Sequence, residues 1–211
     1  MAFQSIWYFT DLPEDIVNIL DKDLADNFDF TMDESKLMGQ QVRKEKRNSD
    51  NAWISSDHWI SGFLWHYVNK ANQENFLYDL THIDGESLQY TRYAEGQYYS
   101  WHNDAGLPQY YKPMSDKNSS GSYENENNHR DFLSRNCEMI RKLSFSLQLS
   151  DPDDYEGGNV EFIDETDKSF IGPRQRGAII LFDSRTKHRV NKVTKGVRRS
   201  IVGWVLGPRW K

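Results

Sequence analysis

A formal net charge of −6 over 211 residues leaves the chain without the basic surplus that non-specific nucleic-acid binding requires. The length suits one domain with a sizeable core, and a mean hydropathy of −0.83 without an apolar run of about 20 residues argues against a membrane protein. The single cysteine, Cys137, cannot form an internal disulfide, and the first residues lack the basic flank and apolar core of a signal peptide. We therefore expect a cytoplasmic protein that binds neither nucleic acid nor membranes.

Two stretches with helical periodicity occur in the first part of the chain. Apolar residues recur at helical spacing from Ile16 to Leu24 and again from Ile60 to Ala71. Asp11 and Pro13 precede the first stretch and favour the start of a helix there. The predicted elements, in chain order, are a strand at 7–11, a helix at 11–27, a strand at 33–42, a polar loop at 40–52 and a helix at 57–75.

Short strands dominate the remainder of the chain. Gly96 allows a tight connection between a predicted strand at 88–93 and an extended run at 98–104. The polar segment that follows is long, and a loop of such length in a compact domain is usually functional or disordered. Further strands are predicted at 143–150, 160–163, 178–182, 188–193 and 197–206. This spacing is typical of a double-sheet jelly roll, so we expect a mainly β fold with flanking helices.

His102 and Asp104 are candidate metal ligands. In an extended chain, residues two apart project from one face, so an imidazole and a carboxylate would point the same way. With a third ligand from elsewhere, they would form the facial set that holds Fe(II) and leaves three positions open. The pair alone also fits an ordinary strand with two polar residues. The same alternation places Tyr99 on the face opposite His102.

The last apolar run of the chain carries a cation that needs an anion. Arg198, Ser200, Val202 and Trp204 alternate along this run and so share one face. An inward guanidinium is costly without a counter-charge, and its planar fork fits a carboxylate through two hydrogen bonds. The pattern therefore predicts that Arg198, helped by the Ser200 hydroxyl, binds a carboxylate.

These motifs, with a distal His188 ten residues before Arg198, resemble the Fe(II)/2-oxoglutarate-dependent dioxygenases of the prolyl 4-hydroxylase type, in their compact bacterial or viral form. The matching stretches are Tyr93-x-x-Gly96-x-x-Tyr99-x-x-His102-x-Asp104, Arg141–Ser150, Tyr155–Phe162, Gly177–Phe182 and the His188/Arg198 pair. The resemblance implies a double-stranded β-helix (a cupin-like jelly roll) with N-terminal helices packed on its major sheet. It also implies one domain, with residues 1–84 as support and substrate loop and residues 85–208 as the core.

The resemblance further implies which residues form the site. Fe(II) would be bound by His102, Asp104 and His188, with no further catalytic side chain. The co-substrate 2-oxoglutarate would be bound by Arg198, Ser200, Tyr93, Gln148 and Ser146. The substrate would be contacted by Tyr99, Trp204, Arg47 and Trp53.

The implied reaction is hydroxylation of a prolyl residue in a protein or peptide by O2, with release of succinate and CO2 and with ascorbate as reductant. Halogenating relatives replace the metal-binding carboxylate with a small residue, so Asp104 favours hydroxylation. Three alternatives stay open: an oxygenase of the same fold acting on a small molecule or a nucleobase, a non-catalytic metal-binding module, and a zinc hydrolase. The last two leave Arg198 and Ser200 without a role.

Overall fold

The computed structural model describes residues 4–10, 12–35, 44–83, 87–105, 109–110, 138–163 and 167–210. Its helices are α1 (Glu14–Asn27) and α2 (Trp59–Ala71), the latter continued by a π-helical turn at Asn72–Phe76. The strands of the first half are β1 (Ile6–Phe9), β2 (Asp33–Glu34), β3 (Arg47–Asn48), β4 (Asp50–Ser55), β5 (His82–Ile83), β6 (Ser87–Tyr93), β7 (Tyr98–His102) and β8 (Gln109–Tyr110). Those of the second half are β9 (Glu138–Gln148), β10 (Tyr155–Gly157), β11 (Val160–Ile163), β12 (Ser169–Ile171), β13 (Ile179–Asp183), β14 (His188–Val190), β15 (Val193–Gly196) and β16 (Arg198–Pro208).

Two antiparallel sheets form a jelly roll. The major sheet has the order β1-β13-β9-β16-β6-β4-β2, with β5 paired to β16 and β8 paired to β9. The minor sheet has the order β12-β11-β14-β7-β3, and β10 pairs with β15 apart from both. Neighbours in space are distant in sequence, as expected for a jelly roll. The predicted fold class, mainly β with flanking helices, is confirmed.

The helices cover one face of the major sheet. Leu143, Phe145 and Leu147 alternate along β9 and are fully or almost fully buried in the main hydrophobic cluster. Leu20 of α1 and Leu64 of α2 belong to the same cluster. Burial of each leucine side chain contributes roughly 1.5–3 kcal/mol, so this layer supplies much of the stability. The expected packing of the N-terminal helices on the major sheet is confirmed.

The polar faces of the same strands point away from the helices, towards the minor sheet. Ser144, Ser146 and Gln148 of β9 are buried, although they are polar. A second, smaller apolar cluster, which includes Phe162 and Phe182, also lies on this side of the major sheet. The space between the two sheets is therefore lined by polar and aromatic side chains, and it is where the candidate site lies.

The polar loop predicted at 40–52 is wrong from residue 47 onwards, whereas residues 44–46 do form a turn. Residues 47–48 form β3, and β4 begins at Asp50 and pairs with β6 over its whole length. Hydrophilic composition misled the prediction because Arg47, Ser49 and Asn51 are buried and polar. Most of the predicted strand at 33–42 and most of the long segment at 105–136 lie outside the described residues.

Several other boundaries also differ from the sequence prediction. The strand predicted at 188–193 ends at Val190, and a new strand begins at Val193 and pairs with β10 instead of β11. Helix α2 begins at Trp59, where the His58 ring nitrogen Nδ1 accepts the Ile60 N–H at 3.5 Å. None of the helices in the described ranges has the length and apolar character needed to cross a bilayer.

Candidate metal centre and co-substrate pocket

Two histidines and one aspartate meet on the face of the minor sheet that looks towards the major sheet. His102 ends β7, His188 begins β14, and the two residues are register partners. Asp104 follows β7 closely, and one ligand atom from each of the three side chains lies within 4.8 Å of the others. We call these three side chains the metal centre. The structure thus brings the three predicted metal ligands together, in the one such cluster found among the described residues.

Backbone carbonyl groups orient both imidazole rings. His102 Nδ1 lies 2.7 Å from the Ser100 carbonyl oxygen, and His188 Nδ1 lies 3.0 Å from the Thr186 carbonyl oxygen. A proton on each Nδ1 satisfies these contacts and leaves both Nε2 atoms with a free lone pair. His102 Nε2 lies 3.7 Å from Asp104 Oδ1, and His188 Nε2 lies 3.5 Å from Asp104 Oδ2. All three donors therefore face the same point.

Burial and neighbouring groups set the protonation of the metal centre. Burial, with a smaller contribution from His188, lowers the pKa of His102 to about 4. Burial by itself raises the pKa of Asp104, but His188, His102 and the Ser144 hydroxyl outweigh it, and the pKa lies below its usual value. At neutral pH the site offers a neutral imidazole and a carboxylate, which are the protonation states that bind a divalent metal.

A β-bulge in β7 turns Tyr99 towards the metal centre. His188 pairs with His102 and Val190 pairs with Tyr99, so three steps along β7 oppose two along β14. The Tyr99 ring stacks on the His102 ring with the centroids 3.6 Å apart. Burial raises the pKa of the Tyr99 hydroxyl to about 12, so it stays neutral. The prediction that Tyr99 lies on the face opposite His102 is wrong because the bulge interrupts the two-residue period.

The Arg198 guanidinium is buried, and its hydrogen-bond partners among the described residues are neutral. Its side chain is 2% exposed. Nη2 donates to Gln148 Oε1 at 2.7 Å and Nη1 donates to Ser200 Oγ at 3.3 Å, whereas Nε has no hydrogen-bond partner within the described ranges. Burial lowers the pKa of Arg198, and nearby Tyr155 and Tyr93 oppose this effect. Among the described acidic side chains, none forms an ion pair with this guanidinium, so a carboxylate ligand would stabilise it.

The other predicted co-substrate residues surround this guanidinium. Tyr93 is the register partner of Arg198, and its ring centroid lies 5.6 Å from the guanidinium carbon. Ser200 is the register partner of Gln148, whose Nε2 donates to Ser146 Oγ at 3.0 Å. All five lie on the face of β6, β9 and β16 that points away from the helices. The structure therefore brings the predicted co-substrate residues together.

Arg47 lies beside the metal centre and is not part of an exposed loop. It is buried in β3, where Nη2 donates to Gln89 Oε1 at 2.5 Å and Nε donates to Ser49 Oγ at 3.0 Å. Its guanidinium carbon lies 4.9 Å from the centroid of the Tyr99 ring, which is itself stacked on the predicted ligand His102. Arg47 is thus a second buried cation within contact distance of the site.

The two tryptophans predicted to contact the substrate lie at different depths in the site. Trp204 is the register partner of Ser144, and the Arg141 guanidinium lies 4.3 Å over its ring. Trp53 is the register partner of Gln89, so it projects from the same face as the residues that contact Arg47. The Trp53 side chain is 55% exposed. Trp204 therefore borders the interior, and Trp53 lies at its rim.

Sequence reasoning missed three residues that support the site. The Ser184 carbonyl accepts the Asp104 N–H at 2.8 Å, and the Ser184 hydroxyl lies 2.9 Å from that of Ser144, which also contacts the Asp104 carboxylate. Tyr155 contacts Arg198 from β10. Ser144 could have been found, because it alternates on the polar face of β9. Ser184 and Tyr155 could not, because their contacts join segments far apart in the sequence.

We expect Gly158→Ala to weaken 2-oxoglutarate binding, whereas Gly96→Ala should not. Gly158 has a φ of +62°, and a Cβ there would lie 3.0 Å from Val193 Cγ2 and 3.2 Å from Arg198 Cδ. Gly96 has a φ of +83°, but an added Cβ would meet no atom within 4 Å. Both substitutions should lower the free energy of unfolding by about 1–2 kcal/mol because of the backbone strain. Equilibrium unfolding and co-substrate titration separate the two effects, and equal affinities in both variants would contradict this account of Gly158.

Comparison with known proteins identifies the family. The profile of the 2OG-Fe(II) oxygenase superfamily matches residues 88–206, more than half of the chain, and the chain belongs to this superfamily. Over 63 residues, 30% of the chain, it is 43% identical to a PKHD-type hydroxylase of Parvibaculum lavamentivorans, and this match covers 28% of that protein's length. The resemblance drawn from the motifs is thereby confirmed.

Solved structures share the fold over nearly the whole chain. A Pseudomonas putida prolyl-4-hydroxylase matches with a TM-score of 0.66 and 18% identity, over 97% of this chain and 93% of that one. A Trichoplax adhaerens prolyl hydroxylase, solved with a peptide fragment of the hypoxia inducible factor oxygen degradation domain, matches with a TM-score of 0.70 and 15% identity, over 96% and 84% of the two chains. The chain therefore has the fold of these prolyl hydroxylases.

Proposed function

We propose that this chain is an Fe(II)- and 2-oxoglutarate-dependent dioxygenase that hydroxylates a prolyl residue in a protein or peptide. The observation that carries the proposal is the buried Arg198 guanidinium, which has no carboxylate partner in the part of the chain that the structure describes. It lies on the face of the major sheet that looks towards the metal centre. Tyr93 connects the two parts, because its ring lies near Arg198 and belongs to the same apolar cluster as Tyr99, which stacks on His102. A metal site and a carboxylate site are thus adjacent.

The residues of the candidate site fit both Fe(II) and 2-oxoglutarate. Two imidazoles and one carboxylate on one side of a metal are the donor set of non-haem Fe(II) oxygenases, and they leave positions open for other ligands. Arg198 Nε is buried and has no hydrogen-bond partner among the described residues, so it fits a carboxylate. When bound, iron and 2-oxoglutarate would supply the oxidation of an unactivated C–H bond by O2, with release of succinate and CO2.

The residues of the chain would bind and orient the metal and the co-substrate, and they would exclude water from the site. His102 and His188 would hold the metal through Nε2, and Asp104 through its carboxylate. Arg198 would bind the distal carboxylate of the co-substrate, with help from the residues of the pocket, which are Ser200, Tyr93, Gln148 and Ser146. Tyr99 would shield the His102 ring from water, because the two rings are stacked. Pre-oriented groups of this kind lower the cost of bringing reactants together.

A peptide substrate is supported by the open rim and by the relatives. The exposed Trp53 ring projects from the site-facing side of β4, where an extended chain could lie across it. Arg47 and Trp204 would contact the substrate deeper in the site. One neighbour in fold was solved with a peptide, and another is a prolyl-4-hydroxylase. We include in the proposal a single domain, with residues 1–84 as support and residues 85–208 as core, a cytoplasmic location and ascorbate as reductant.

Peptide hydroxylation is the direct test. The protein with Fe(II), 2-oxoglutarate and ascorbate would be incubated with proline-containing peptides, and the products analysed by tandem mass spectrometry. We expect the mass of one oxygen atom on a prolyl residue, with succinate formed in equal amount. Succinate formation that depends on a small molecule, with no peptide modified, would contradict the prolyl substrate and leave the oxygenase activity in place.

Two exposed tryptophans provide a matched comparison for the peptide site. Trp53→Ala should raise the KM for the peptide about tenfold, since aromatic anchors often contribute more than 1 kcal/mol to binding, while the KM for 2-oxoglutarate stays the same. Trp59 is similarly exposed, at 45%, but lies on α2, on the other side of the major sheet. Trp59→Ala should change neither constant. An equal effect of both substitutions on the peptide KM would exclude Trp53 from the substrate site.

A further inference from the structure

A single turn supports two of the three metal ligands. We call residues 184–187, which connect β13 to β14, the ligand turn. The Ser184 carbonyl accepts the N–H groups of Asp104 and Ala105 at 2.8 Å and 2.9 Å. The Thr186 carbonyl lies 3.0 Å from His188 Nδ1. A shift of this turn would therefore displace a carboxylate and an imidazole of the metal centre together.

Asp183 holds the ligand turn in place. Its Oδ1 accepts the Arg185 N–H at 2.8 Å and the Arg185 Nε–H at 2.9 Å, and its Oδ2 accepts Arg185 Nη2 and the Tyr78 hydroxyl, each at 2.6 Å. The Asp183 carbonyl also accepts the Thr186 N–H at 2.8 Å. Asp183 is only 4% exposed. Four hydrogen bonds to one buried carboxylate fix the start of the turn, because charge-assisted bonds are short and directional.

Tyr78 and Trp210 extend this support to distant parts of the chain. The Asn72 side chain, next to the end of α2, accepts the Tyr78 N–H at 2.8 Å and donates to the Tyr78 carbonyl at 2.9 Å. The Trp210 ring packs edge-to-face on the Tyr78 ring at 4.7 Å. The Arg185 guanidinium lies 4.3 Å from the Trp210 ring. The end of α2 and the C-terminal segment therefore both contact the groups that hold the turn.

We propose that Asp183, bound by Tyr78 and Arg185, which both contact Trp210, is a positioning residue that sets the geometry of Asp104 and His188 for metal binding. The proposal rests on the proposed function only in requiring that the metal centre binds a divalent metal. These four side chains are distinct from the proposed metal ligands and from the residues proposed to bind the co-substrate and the substrate. Their effect passes through the Ser184 and Thr186 carbonyl groups of the ligand turn, and direct outer partners of metal ligands typically change metal affinity by 10- to 100-fold.

The test compares metal affinity with fold stability in matched variants. Tyr78→Phe removes one hydrogen bond to Asp183 and keeps the ring against Trp210. Tyr90→Phe is the control, because the Tyr90 hydroxyl likewise contacts a charged side chain, accepting from Arg199 Nη1 at 3.5 Å, but lies on the helix side of the sheet. For each variant, the Kd for Mn(II) would be measured by titration calorimetry without oxygen, and the unfolding midpoint of the metal-free protein by thermal denaturation.

We expect Tyr78→Phe to weaken Mn(II) binding about tenfold and Asp183→Asn to weaken it further, up to about 100-fold. Tyr90→Phe should lower the unfolding midpoint without changing the Kd. If Asp183→Asn does not fold, Trp210→Ala, which removes a partly exposed ring, replaces it and should weaken binding severalfold. In the Fe(II)–2-oxoglutarate complex, the visible absorption band should shift in Tyr78→Phe and not in Tyr90→Phe.

Two results would overturn the proposal. In the first, Tyr78→Phe and Asp183→Asn (or Trp210→Ala in its place) bind Mn(II) like the wild type although they unfold more easily. In the second, Tyr90→Phe weakens binding as much as Tyr78→Phe. A wild type that binds metal but hydroxylates no peptide would contradict the proposed function and leave this inference standing. A wild type that binds no divalent metal would contradict both.

Discussion

Replacing Arg198 with methionine should remove 2-oxoglutarate binding and leave the ligand-free protein at least as stable as the wild type. The guanidinium is 2% exposed and lacks a carboxylate partner among the described residues, so in the absence of ligand its burial is unfavourable. Loss of one partner from a buried charge pair typically costs about 2–5 kcal/mol of binding free energy, which weakens the Kd roughly 30-fold to several-thousand-fold. Apolar replacement of buried ionic groups is often neutral or stabilising by about 1–4 kcal/mol.

The neighbouring Arg199 is the control for that experiment. It projects to the opposite face, where Nη1 lies 3.2 Å from Asp21 Oδ1 of α1. Arg199→Met should lower the stability and leave the affinity for 2-oxoglutarate unchanged, the reverse of Arg198→Met. Thermal denaturation with and without 2-oxoglutarate and Mn(II) reports both quantities, since a ligand that binds the folded state raises the unfolding midpoint. A large loss of stability in Arg198→Met with retained ligand stabilisation would show that the guanidinium is structural.

Replacing Asp104 with asparagine should remove divalent metal binding. Asp104 is the sole carboxylate of the metal centre and is 8% exposed. The amide keeps the shape of the side chain but removes the negative charge that offsets the metal, so we expect the Kd for Mn(II) to rise at least about 100-fold, beyond the usual effect of outer contacts. Titration calorimetry without oxygen measures this directly.

Matched controls exist for the ligands. Asn103 lies between two of them, is exposed, and should be replaceable by alanine without loss of affinity. His188→Gln should weaken binding, and His66→Gln should not, because His66 is exposed on α2. Wild-type affinity in Asp104→Asn or in His188→Gln would mean that the metal binds elsewhere, and the proposed site would have to be abandoned.

Several parts of this protein are encoded locally and could be predicted from the sequence. The alternation of Leu143, Phe145 and Leu147 with polar residues fixes which face of β9 meets the helices, because the period of a strand is two. Arg198 and Ser200 share a face for the same reason. His102 and Asp104 could be paired by their spacing, and His188 was added by resemblance to a known family. The helical periodicity of the sequence placed the ends of α1 and α2 within a few residues of where they lie in the structure.

Other parts depend on contacts between distant segments. The polar sequence around Arg47 resembles a loop, and only the pairing of β3 with β7 and of β4 with β6 makes it a buried strand region. Strict alternation put Tyr99 on the wrong face, because the register of β7 is set by its partner β14 and includes an extra residue. A single chain segment contains no information on the partner that forces such a bulge.

The sequence alone determined the chemistry that is available and the side of each strand on which it lies, because residue type and a two-residue period are local properties. The tertiary structure decided which of these groups meet. It set the Ser184 and Thr186 carbonyls against two of the predicted metal ligands, and it joined Asp183 to Tyr78 across 105 positions of the chain. These choices could not be read in advance, since they follow from the packing of a sheet whose neighbouring strands are remote in sequence.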